Sequence, residues 1–436
     1  MKLLWCAVGV VIPFLTVDAL IPASNQQPIQ QPAALPGAAH EKLEDVISAS
    51  PLLSLHRAIC EVESISDDEL AVGKLVISLL KAHNFTVKTQ SVPQPEERNS
   101  TKPRYNIYAY PDPSKYSGID VDAIPSPKVV LSSHIDTVPP HIPYSLSLPP
   151  AKTAREDILI SGRGTVDDKA CVAVQIQALL DLLADPDAKL DPLDVALLFV
   201  VGEEAHGDGM RHFSASDLYR QTNTNYHAIL FGEPTEGKLA TGHKGIGMVK
   251  VKARGKAAHS GYPWLGRSAN SMILPALLAL DGLGDIPEDA GGLPRSEKYG
   301  KSTVNVGLMR GGVAGNVVPE YAEASITFRL AGGDSDELKE LATKAVRKVD
   351  PEGLLELEFA QGYGPIELDG DGVDGFDTIT VNYGTDIPNL KVADGVKRYL
   401  YGPGSILVAH GKNEGLTVGD LEEALDGYKT LLLRSL

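Results

Sequence analysis

The chain has 436 residues, of which 43% are hydrophobic and 22% are charged, and its formal net charge at pH 7 is −17. This composition is typical of a globular protein with a large core, and the length predicts more than one domain. The strong negative charge argues against nucleic acid and anionic membrane surfaces as partners.

Residues 1–19 have the pattern of a secretory signal peptide. Lys2 supplies a positive charge, residues 3–15 are almost wholly apolar, and Ala19 ends a small-residue cleavage pattern. The apolar run is shorter than the ~20 residues that cross a bilayer. We therefore expect cleavage after Ala19 and a secreted, extracellular protein. Residues 20–40, rich in Gln, Pro and Ala, predict a disordered leader.

Two kinds of covalent modification fit secretion. Asn84 and Asn99 each begin an acceptor sequence for N-glycosylation. Of the three cysteines, Cys6 leaves with the signal peptide, so Cys60 and Cys171 remain. We predict a disulfide between them, and two buried free thiols are the alternative.

Helical and strand patterns alternate over residues 41–240. The predicted helices are 41–60, 67–83, 168–184 and 209–218, and the predicted strands are 85–90, 105–110, 128–133, 157–161, 195–201 and 227–231. Such alternation predicts an α/β fold, with a mostly parallel sheet and helices on both faces.

The pattern changes near residue 241. Residues 248–254 alternate strictly between apolar and polar side chains, as in a half-exposed strand. Further strands are predicted at 302–309 and 323–330, and helices at 269–280 and 335–349. We predict that residues 241–355 form an α+β domain inserted into the first one. That first domain comprises 41–240 and 356–436, and it ends in a helix at 418–433.

Acidic residues and a histidine follow the predicted strands, where open α/β sheets bind ligands. His134 and Asp136 face the same way in an extended chain, so Asp136 is placed to orient a metal-bound His134. Glu203 and Glu204 point to opposite sides, which suits one metal ligand and one general base. A simple turn at Asp136 and a solvated acidic loop at Glu203 are the alternatives.

Asp167 and Asp168 lie between a glycine-rich turn and an apolar helix. Taken alone, either aspartate is explained equally well as the helix N-cap. Five candidate ligands nevertheless lie at or near strand ends: His134, Asp167, Glu204, Glu233 and His410. Two histidines and three carboxylates suit two zinc ions that share a water molecule.

In this order the motifs resemble the di-zinc aminoacylase, desuccinylase and carboxypeptidase family, which includes acetylornithine deacetylase and glutamate carboxypeptidase. The matching segments are Ser-His-Ile-Asp-Thr-Val-Pro at 133–139, Gly-Arg-Gly-Thr-Val-Asp-Asp-Lys at 162–169, Gly-Glu-Glu at 202–204, Gly-Glu-Pro-Thr at 232–235, Gly-Lys-Ala-Ala-His-Ser at 255–260, Gly-Gly-Val-Ala-Gly-Asn-Val-Val-Pro at 311–319 and Tyr-Gly-Pro-Gly at 401–404. The resemblance extends from about residue 43 to the C-terminus. It implies a zinc-exopeptidase-like fold with an inserted lid or dimerisation domain.

The resemblance implies an arrangement of the metal ligands. His134 and Glu233 would hold one zinc ion, Glu204 and His410 would hold the other, and Asp167 would bridge the two. The segment after His410, residues 411–415, departs from the usual pattern.

The resemblance also implies roles in catalysis. Asp136 would orient His134, and Glu203 would take a proton from the bridging water and return it to the leaving amine. His259, on the inserted domain, would stabilise the oxyanion, often across a dimer. The Asp167–Asp168 peptide would be cis.

The remaining implied roles concern the substrate. Asn316 and Arg329 would hold the substrate, and Arg329 would bind the carboxylate of the substrate. Gly402 and Gly404 would let the backbone approach it. Together these features predict a secreted zinc carboxypeptidase that can form a homodimer, without nucleic-acid or membrane partners. An aminoacylase or dipeptidase acting on N-acyl amino acids is one alternative. An inactive secreted binding protein on the same scaffold is another, which the complete ligand set disfavours.

Overall fold

The structure is a computed structural model that describes residues 37–95, 101–116, 124–150, 152 and 154–436. The predicted signal peptide, the predicted leader up to residue 36 and Asn99 lie outside the described residues. The first helix begins at Gly37, so residues 37–40 are helical, whereas the sequence predicts disordered leader there.

The described residues form ten α-helices. They are α1 (Gly37–Ala49), α2 (Pro51–Cys60), α3 (Leu70–Ala82), α4 (Pro113–Tyr116), α5 (Lys169–Ala184), α6 (Asp208–Ser214), α7 (Asp217–Thr222), α8 (Ala269–Asp281), α9 (Ser335–Val349) and α10 (Val418–Ser435). None of the helices in the described ranges combines the length and the apolar character that crossing a membrane requires.

The same residues form eighteen β-strands. They are β1 (Phe85–Val92), β2 (Arg104–Pro111), β3 (Val129–His134), β4 (Ser145–Ser147), β5 (Leu159–Ser161), β6 (Val195–Val200), β7 (Ala228–Phe231), β8 (Leu239–His243), β9 (Gly245–Arg254), β10 (Arg295–Ser296), β11 (Gly300–Lys301), β12 (Thr303–Gly311), β13 (Tyr321–Leu330), β14 (Leu355–Phe359), β15 (Ile366–Glu367), β16 (Thr378–Val381), β17 (Lys397–Leu400) and β18 (Gly415–Thr417).

The main sheet has six strands in the order β1-β2-β6-β3-β7-β17. β6, β3, β7 and β17 pair in parallel, whereas β2 pairs antiparallel with both β1 and β6. β6 and β7 are continuous apolar runs and β3 begins as one, as expected where both faces of a sheet are covered.

Alternate residues of the main sheet enter two separate cores. On β6, Leu197 and Phe199 pack with residues of α1, α2, α3, α5 and α10 on one face. Ala196 and Leu198 pack with residues of α6 and α7 on the other face. The sheet is thus a rigid layer between helices, and its strand ends are held in fixed positions.

The inserted unit is an antiparallel sheet in the order β12-β13-β9-β14, with α8 and α9 packed on it around a core of its own. In β14, Leu355 pairs with Ala253 and Leu357 with Val251. This strand carries the sheet to Phe359, beyond the predicted boundary at residue 355. The chain therefore returns to the first domain after residue 359.

The two remaining cysteines are free and buried, which corrects the prediction of a disulfide between them. The Cys60 sulfur lies 3.3 Å from His56 Nε2 and 3.7 Å from the carbonyl oxygen of Gly164. Cys171 lies on α5, where its sulfur packs close to Gly402. The two thiols face different neighbours, so the alternative of two buried thiols is the one that the structure shows.

Candidate active site

The candidate ligands converge at the carboxyl edge of the main sheet. His134 is the last residue of β3, Glu203 and Glu204 follow β6, and Glu233 follows β7. Asp167 reaches the same place from the turn between β5 and α5. Because parallel strands end at one edge, distant parts of the chain bring their side chains together there.

Asp167 lies at the centre of this group. His134 Nε2 is 3.0 Å from Asp167 Oδ1, and His410 Nε2 is 3.2 Å from Asp167 Oδ2. His410 Nε2 is also 2.9 Å from Glu204 Oε2. Each oxygen of one buried carboxylate therefore faces a different histidine, which is the arrangement expected of a ligand shared by two metal ions.

Asp136 fixes both His134 and the loop that carries the two glutamates. His134 Nδ1 donates to the Asp136 carbonyl oxygen at 3.0 Å and lies 3.5 Å from Asp136 Oδ1. The Asp136 carboxylate accepts the backbone N–H groups of Glu203 and Glu204 at 3.1 and 3.2 Å. It also accepts the Ser66 hydroxyl at 2.7 Å. Asp136 thus sets the ring orientation of His134 through its carbonyl oxygen and the path of the glutamate loop through its buried carboxylate.

The side chain of Asp168 makes different contacts from the side chain of Asp167. It occupies the N-cap position of α5, yet its side chain makes no capping hydrogen bond. Its Oδ2 instead accepts the backbone N–H of His134 at 3.4 Å. The Asp167–Asp168 peptide is cis, as the family resemblance implies.

The electrostatics of the cluster favour a cation. Burial raises the pKa of Glu203 and Glu233 well above the usual range, and burial with the nearby Asp167 raises that of Glu204 to about 7. Burial opposes ionisation of Asp167 too, but hydrogen bonds from His134 and His410 outweigh it and lower the pKa of Asp167. Hydrogen bonds to Asp167 and Glu204 raise the pKa of His410 to about 10. Crowded buried carboxylates of this kind are stabilised by positive charge.

The donor atoms fit metal ions. The ligand atoms of His134, Asp167 and Glu204 lie within 4.8 Å of one another, as do those of His134, Glu203 and Glu233. Because His134 donates its Nδ1–H to the carbonyl oxygen of Asp136, the lone pair on its Nε2 remains available to a metal ion. Imidazole nitrogen and carboxylate oxygen are donors that zinc accepts.

The cluster opens into a cleft of about 360 Å³ between the catalytic domain and the sheet of the inserted domain. Asp167, Glu203, Glu204, Glu233 and His410 line one side of it.

The inserted domain supplies the opposite side of the cleft. Ile246 and Met248 of β9 lie there with Arg329 of β13, which pairs with Ile246 across the two strands. Arg329 forms no salt bridge with any of the residues that the structure describes, so its guanidinium is available to an anionic ligand.

Comparison with known proteins identifies the family. A model of the M20 peptidase dimerisation domain matches residues 241–354. Over 99% of its length the chain is 50% identical to a protein of Uncinocarpus reesii named "probable carboxypeptidase", of which it covers 98%. The chain belongs to the M20 family of metallopeptidases.

Solved structures agree with the fold of this M20 metallopeptidase. An M20 family metallo-carboxypeptidase from Sulfolobus solfataricus is 16% identical with a TM-score of 0.60, and the match covers 88% of this chain and 99% of that one. The di-peptidase Dug1p from Saccharomyces cerevisiae is 15% identical with a TM-score of 0.66, covering 91% and 97%. The predictions of the family, of the α/β fold with an inserted domain and of a hydrolase of the metallocarboxypeptidase class are confirmed.

Two predicted site residues of the M20 metallopeptidase lie outside the cleft. His259 and Asn316 are exposed on the inserted domain, where the backbone of His259 pairs with Val317. His259 Nδ1 accepts the Gly261 N–H at 3.0 Å, and its ring packs on Tyr262. Among the described residues of one chain, neither His259 nor Asn316 lines the cleft that holds Glu203.

Gly402 and Gly404 pack against the Glu233 segment instead of lining the cleft. A Cβ on Gly402 would lie 2.6 Å from the carbonyl oxygen of Glu233 and 2.4 Å from the sulfur of Cys171. Gly404 has φ +72°, and its carbonyl accepts the Glu236 N–H at 2.8 Å. Gly402 is therefore needed for close packing behind a proposed ligand, and an approach of this loop to substrate stays a prediction of the family resemblance.

Sequence reasoning missed three residues of the site. Asp386 is a buried acid on the cleft wall, and burial raises its pKa to about 6. Arg163 and Glu414 form a buried ion pair beneath Asp167. They are 251 positions apart, so no local pattern reveals the pair. The one feature of the sequence that could have indicated them is their closeness to proposed ligands, since Arg163 shortly precedes Asp167 and Glu414 shortly follows His410.

Proposed function

We propose that this M20 metallopeptidase is a two-zinc carboxypeptidase that removes the C-terminal residue of a peptide. One observation carries the proposal: Arg329 faces the cluster of Asp167, Glu203 and His410 across a single cleft. A planar guanidinium is a fork-shaped partner for a carboxylate. A peptide whose terminal carboxylate binds Arg329 would place its last amide bond against the cluster.

The proposed zinc ions would use the ligands that the family resemblance implies. His134 and Glu233 would hold one ion, Glu204 and His410 the other, and Asp167 both. Zinc bound there would lower the pKa of a water molecule to about 7 and polarise the scissile carbonyl. Metal analysis of the purified chain tests this arrangement, with about two zinc ions per chain expected. A chain without bound metal would refute it.

Glu203 is the proposed general base. Its carboxylate lies in the cleft, 4.0 Å from His134 Nε2, and burial raises its pKa well above the usual range. A group with a raised pKa accepts a proton from water more readily and can return it to the leaving amine. Its backbone N–H donates to the Asp136 carboxylate, which fixes the loop that carries Glu203.

The variant Glu203→Gln tests the role of the base. It keeps the shape of the side chain but removes its capacity to accept a proton. We expect turnover to fall at least about 100-fold, the lower end of the contribution of acid–base catalysis, while zinc content stays unchanged. Retained activity, or a parallel loss of zinc, would refute the assignment.

Substrate class is tested with three sets of compounds. N-blocked dipeptides with a free C-terminus should be hydrolysed, and the same peptides as C-terminal amides should not, because they lack the carboxylate for Arg329. N-acyl amino acids keep that carboxylate, so faster turnover of this third set would identify an aminoacylase. The variant Arg329→Met should raise KM for the free acids and leave the poor turnover of the amides unchanged.

We further propose that the protein is secreted and glycosylated. Asn84 is exposed at the junction between α3 and β1, where an oligosaccharide has room. Expression in a eukaryotic host should place the protein in the medium, with a mass that falls on glycosidase treatment. In the variant Asn84→Gln, glycosidase treatment should lower the mass by less than it does in the wild type. Retention of the protein inside the cells would contradict secretion.

A homodimer is proposed from the surface of the inserted domain. Leu274 and Leu278 of α8 are 54% and 76% exposed, and Val313 is 89% exposed. Apolar side chains exposed together mark interaction surfaces. His259, exposed on the same domain, would then complete the site of a partner subunit. Light scattering should give twice the chain mass, and Leu278→Lys should give the mass of one chain.

A further inference from the structure

A single buried ion pair joins the loop of Asp167 to the loop of His410. Arg163 Nη1 donates to Glu414 Oε2, and the two side chains are only 2% and 1% exposed. Arg163 is in the turn that leads to Asp167, and Glu414 is in the segment that follows His410. The pair therefore connects two proposed ligands that are distant in the sequence.

Glu414 determines the path of the Asp167 turn. Its Oε1 accepts three backbone N–H groups, those of Gly164 at 2.8 Å, Val166 at 3.2 Å and Asp167 at 3.2 Å. A carboxylate that accepts several main-chain N–H groups forms charge-assisted hydrogen bonds that hold the turn in one conformation. The backbone position of Asp167 thus depends directly on Glu414.

Arg163 anchors the backbone around His410. Its Nη2 donates to the His410 carbonyl at 3.4 Å, and its Nη1 donates to the Gly411 carbonyl at 3.3 Å. His410 has φ +62°, in the left-handed region that is unfavourable for a residue with a Cβ. Its side chain is 50% exposed, so packing alone does not hold it.

Arg163 also contacts the segment that follows His134, a further proposed ligand. Its Nε donates to the Pro140 carbonyl at 3.3 Å, shortly beyond His134 and Asp136. A single guanidinium therefore contacts the backbone near His134 and the backbone at His410. It also binds the Glu414 carboxylate, which holds the turn of Asp167. Buried ion pairs are weak stabilisers compared with apolar packing, whereas a planar guanidinium with a fixed set of donors is well suited to setting geometry.

We propose that Arg163 and Glu414 are positioning residues that set the spacing between Asp167 and His410, and hence the affinity of the site for metal. This inference rests on the proposed two-zinc centre. Neither side chain touches the substrate cleft, so both act through the ligands that they hold.

The variant Glu414→Gln tests the proposal. It keeps the shape of the side chain and an oxygen acceptor but removes the charge that pairs with Arg163. Zinc affinity of the purified full chain is measured by competition with a fluorescent chelator. We expect it to fall at least about 10-fold, the lower end of the range for partners that orient metal ligands. The matched control is Glu422→Gln, which removes an exposed carboxylate from Arg155 and should leave zinc affinity unchanged.

A second control separates positioning from stability. Leu421 is fully buried in the core of the catalytic domain, so Leu421→Ala should lower the Tm but leave zinc affinity within 2-fold of the wild type. If Glu414→Gln does not fold, Arg163→Lys takes its place, because lysine keeps the charge but lacks the planar fork of donors that reaches the Pro140, His410 and Gly411 carbonyls together with Glu414.

Two results would overturn the proposal alone: a folded Glu414→Gln or Arg163→Lys variant with wild-type zinc affinity, or an equal loss of affinity in Leu421→Ala. A wild-type chain that binds no zinc overturns the proposed metal centre and this inference with it.

Discussion

At the residue scale, the two adjacent aspartates have separate tasks. Asp167 faces His134 with one oxygen and His410 with the other. Asp168 is fully buried, accepts a backbone N–H, and does not line the cleft. Identical side chains in neighbouring positions are therefore not interchangeable, because only Asp167 presents both oxygens to the proposed metal ligands.

This difference predicts unequal effects of the same substitution. Asp167→Asn should lose zinc and activity together, with activity falling about 100-fold or more, since even outer partners of a metal site contribute 10–100-fold. Asp168→Asn should keep its zinc and lose less than about 10-fold. Zinc content and kcat of the two purified variants provide the measurement. Equal losses in both variants would contradict the assignment of Asp167 as the shared ligand.

Residues were predictable where they follow a strand whose pattern is visible in the sequence. Glu203 and Glu233 each come shortly after a continuous apolar run, and His134 ends a strand that begins with one, so their shared edge of the sheet follows from the fold class. The ion pair of Arg163 and Glu414 was not predictable, because contact across 251 positions depends on tertiary packing. The cysteine prediction was wrong for a related reason, since a count of two thiols carries no information about their distance.

At the element scale, sequence patterns predicted the type of most elements but not their partners. The runs that became β6 and β7 are apolar throughout, the run that became β3 is apolar in its first half, and α8 and α9 lie close to their predicted bounds. The reversed direction of β2 in the sheet was not predictable. The pairing of a strand is decided by strands that are distant in the sequence. For the same reason, the pairing of β14 with β9 in the inserted sheet was not predictable.

The loop after β17 offers a test of how packing between elements supports the site. Gly402→Ala would place a Cβ 2.6 Å from the Glu233 carbonyl oxygen, so the segment that carries Glu233 must move. We expect a loss of stability of about 1–3 kcal/mol, typical of overpacking, together with weaker zinc binding. Denaturant unfolding and chelator competition measure the two effects.

The matched control for this substitution is Gly282→Ala, because a Cβ there meets nothing within 4 Å. That variant should keep both stability and zinc affinity. Unchanged zinc affinity in a destabilised Gly402→Ala variant would show that the loop does not position Glu233.

At the scale of the whole molecule, the two domains meet at a buried histidine. His243 ends β8, next to the start of β9, which leads into the inserted sheet. Its Nδ1 donates to the Lys244 carbonyl at 2.8 Å, and its Nε2 accepts the Thr385 hydroxyl at 3.1 Å. Thr385 lines the cleft, so the neutral form of this ring connects the junction between domains to the site.

Acid should weaken this junction. Burial lowers the pKa of His243 from 6.5 to about 4, and the nearby Arg329 and Arg398 also oppose its protonation. At a pH between 4 and 6.5, the unfolded chain binds more protons at this position than the folded chain does. The corresponding stability is therefore fully present above about pH 6.5 and is lost as the pH falls towards 4, by about 2 kcal/mol between pH 7 and pH 5.

The substitution His243→Gln should remove this part of the pH dependence, because glutamine does not titrate. Denaturant midpoints at pH 7 and pH 5 would therefore differ less in the variant than in the wild type. A residual difference is expected from His56, whose pKa burial also lowers to about 4. The exposed His212 provides the control, since His212→Gln should retain the wild-type difference between the two pH values. An equal difference in His243→Gln and the wild type would show that the junction histidine does not couple protonation to folding.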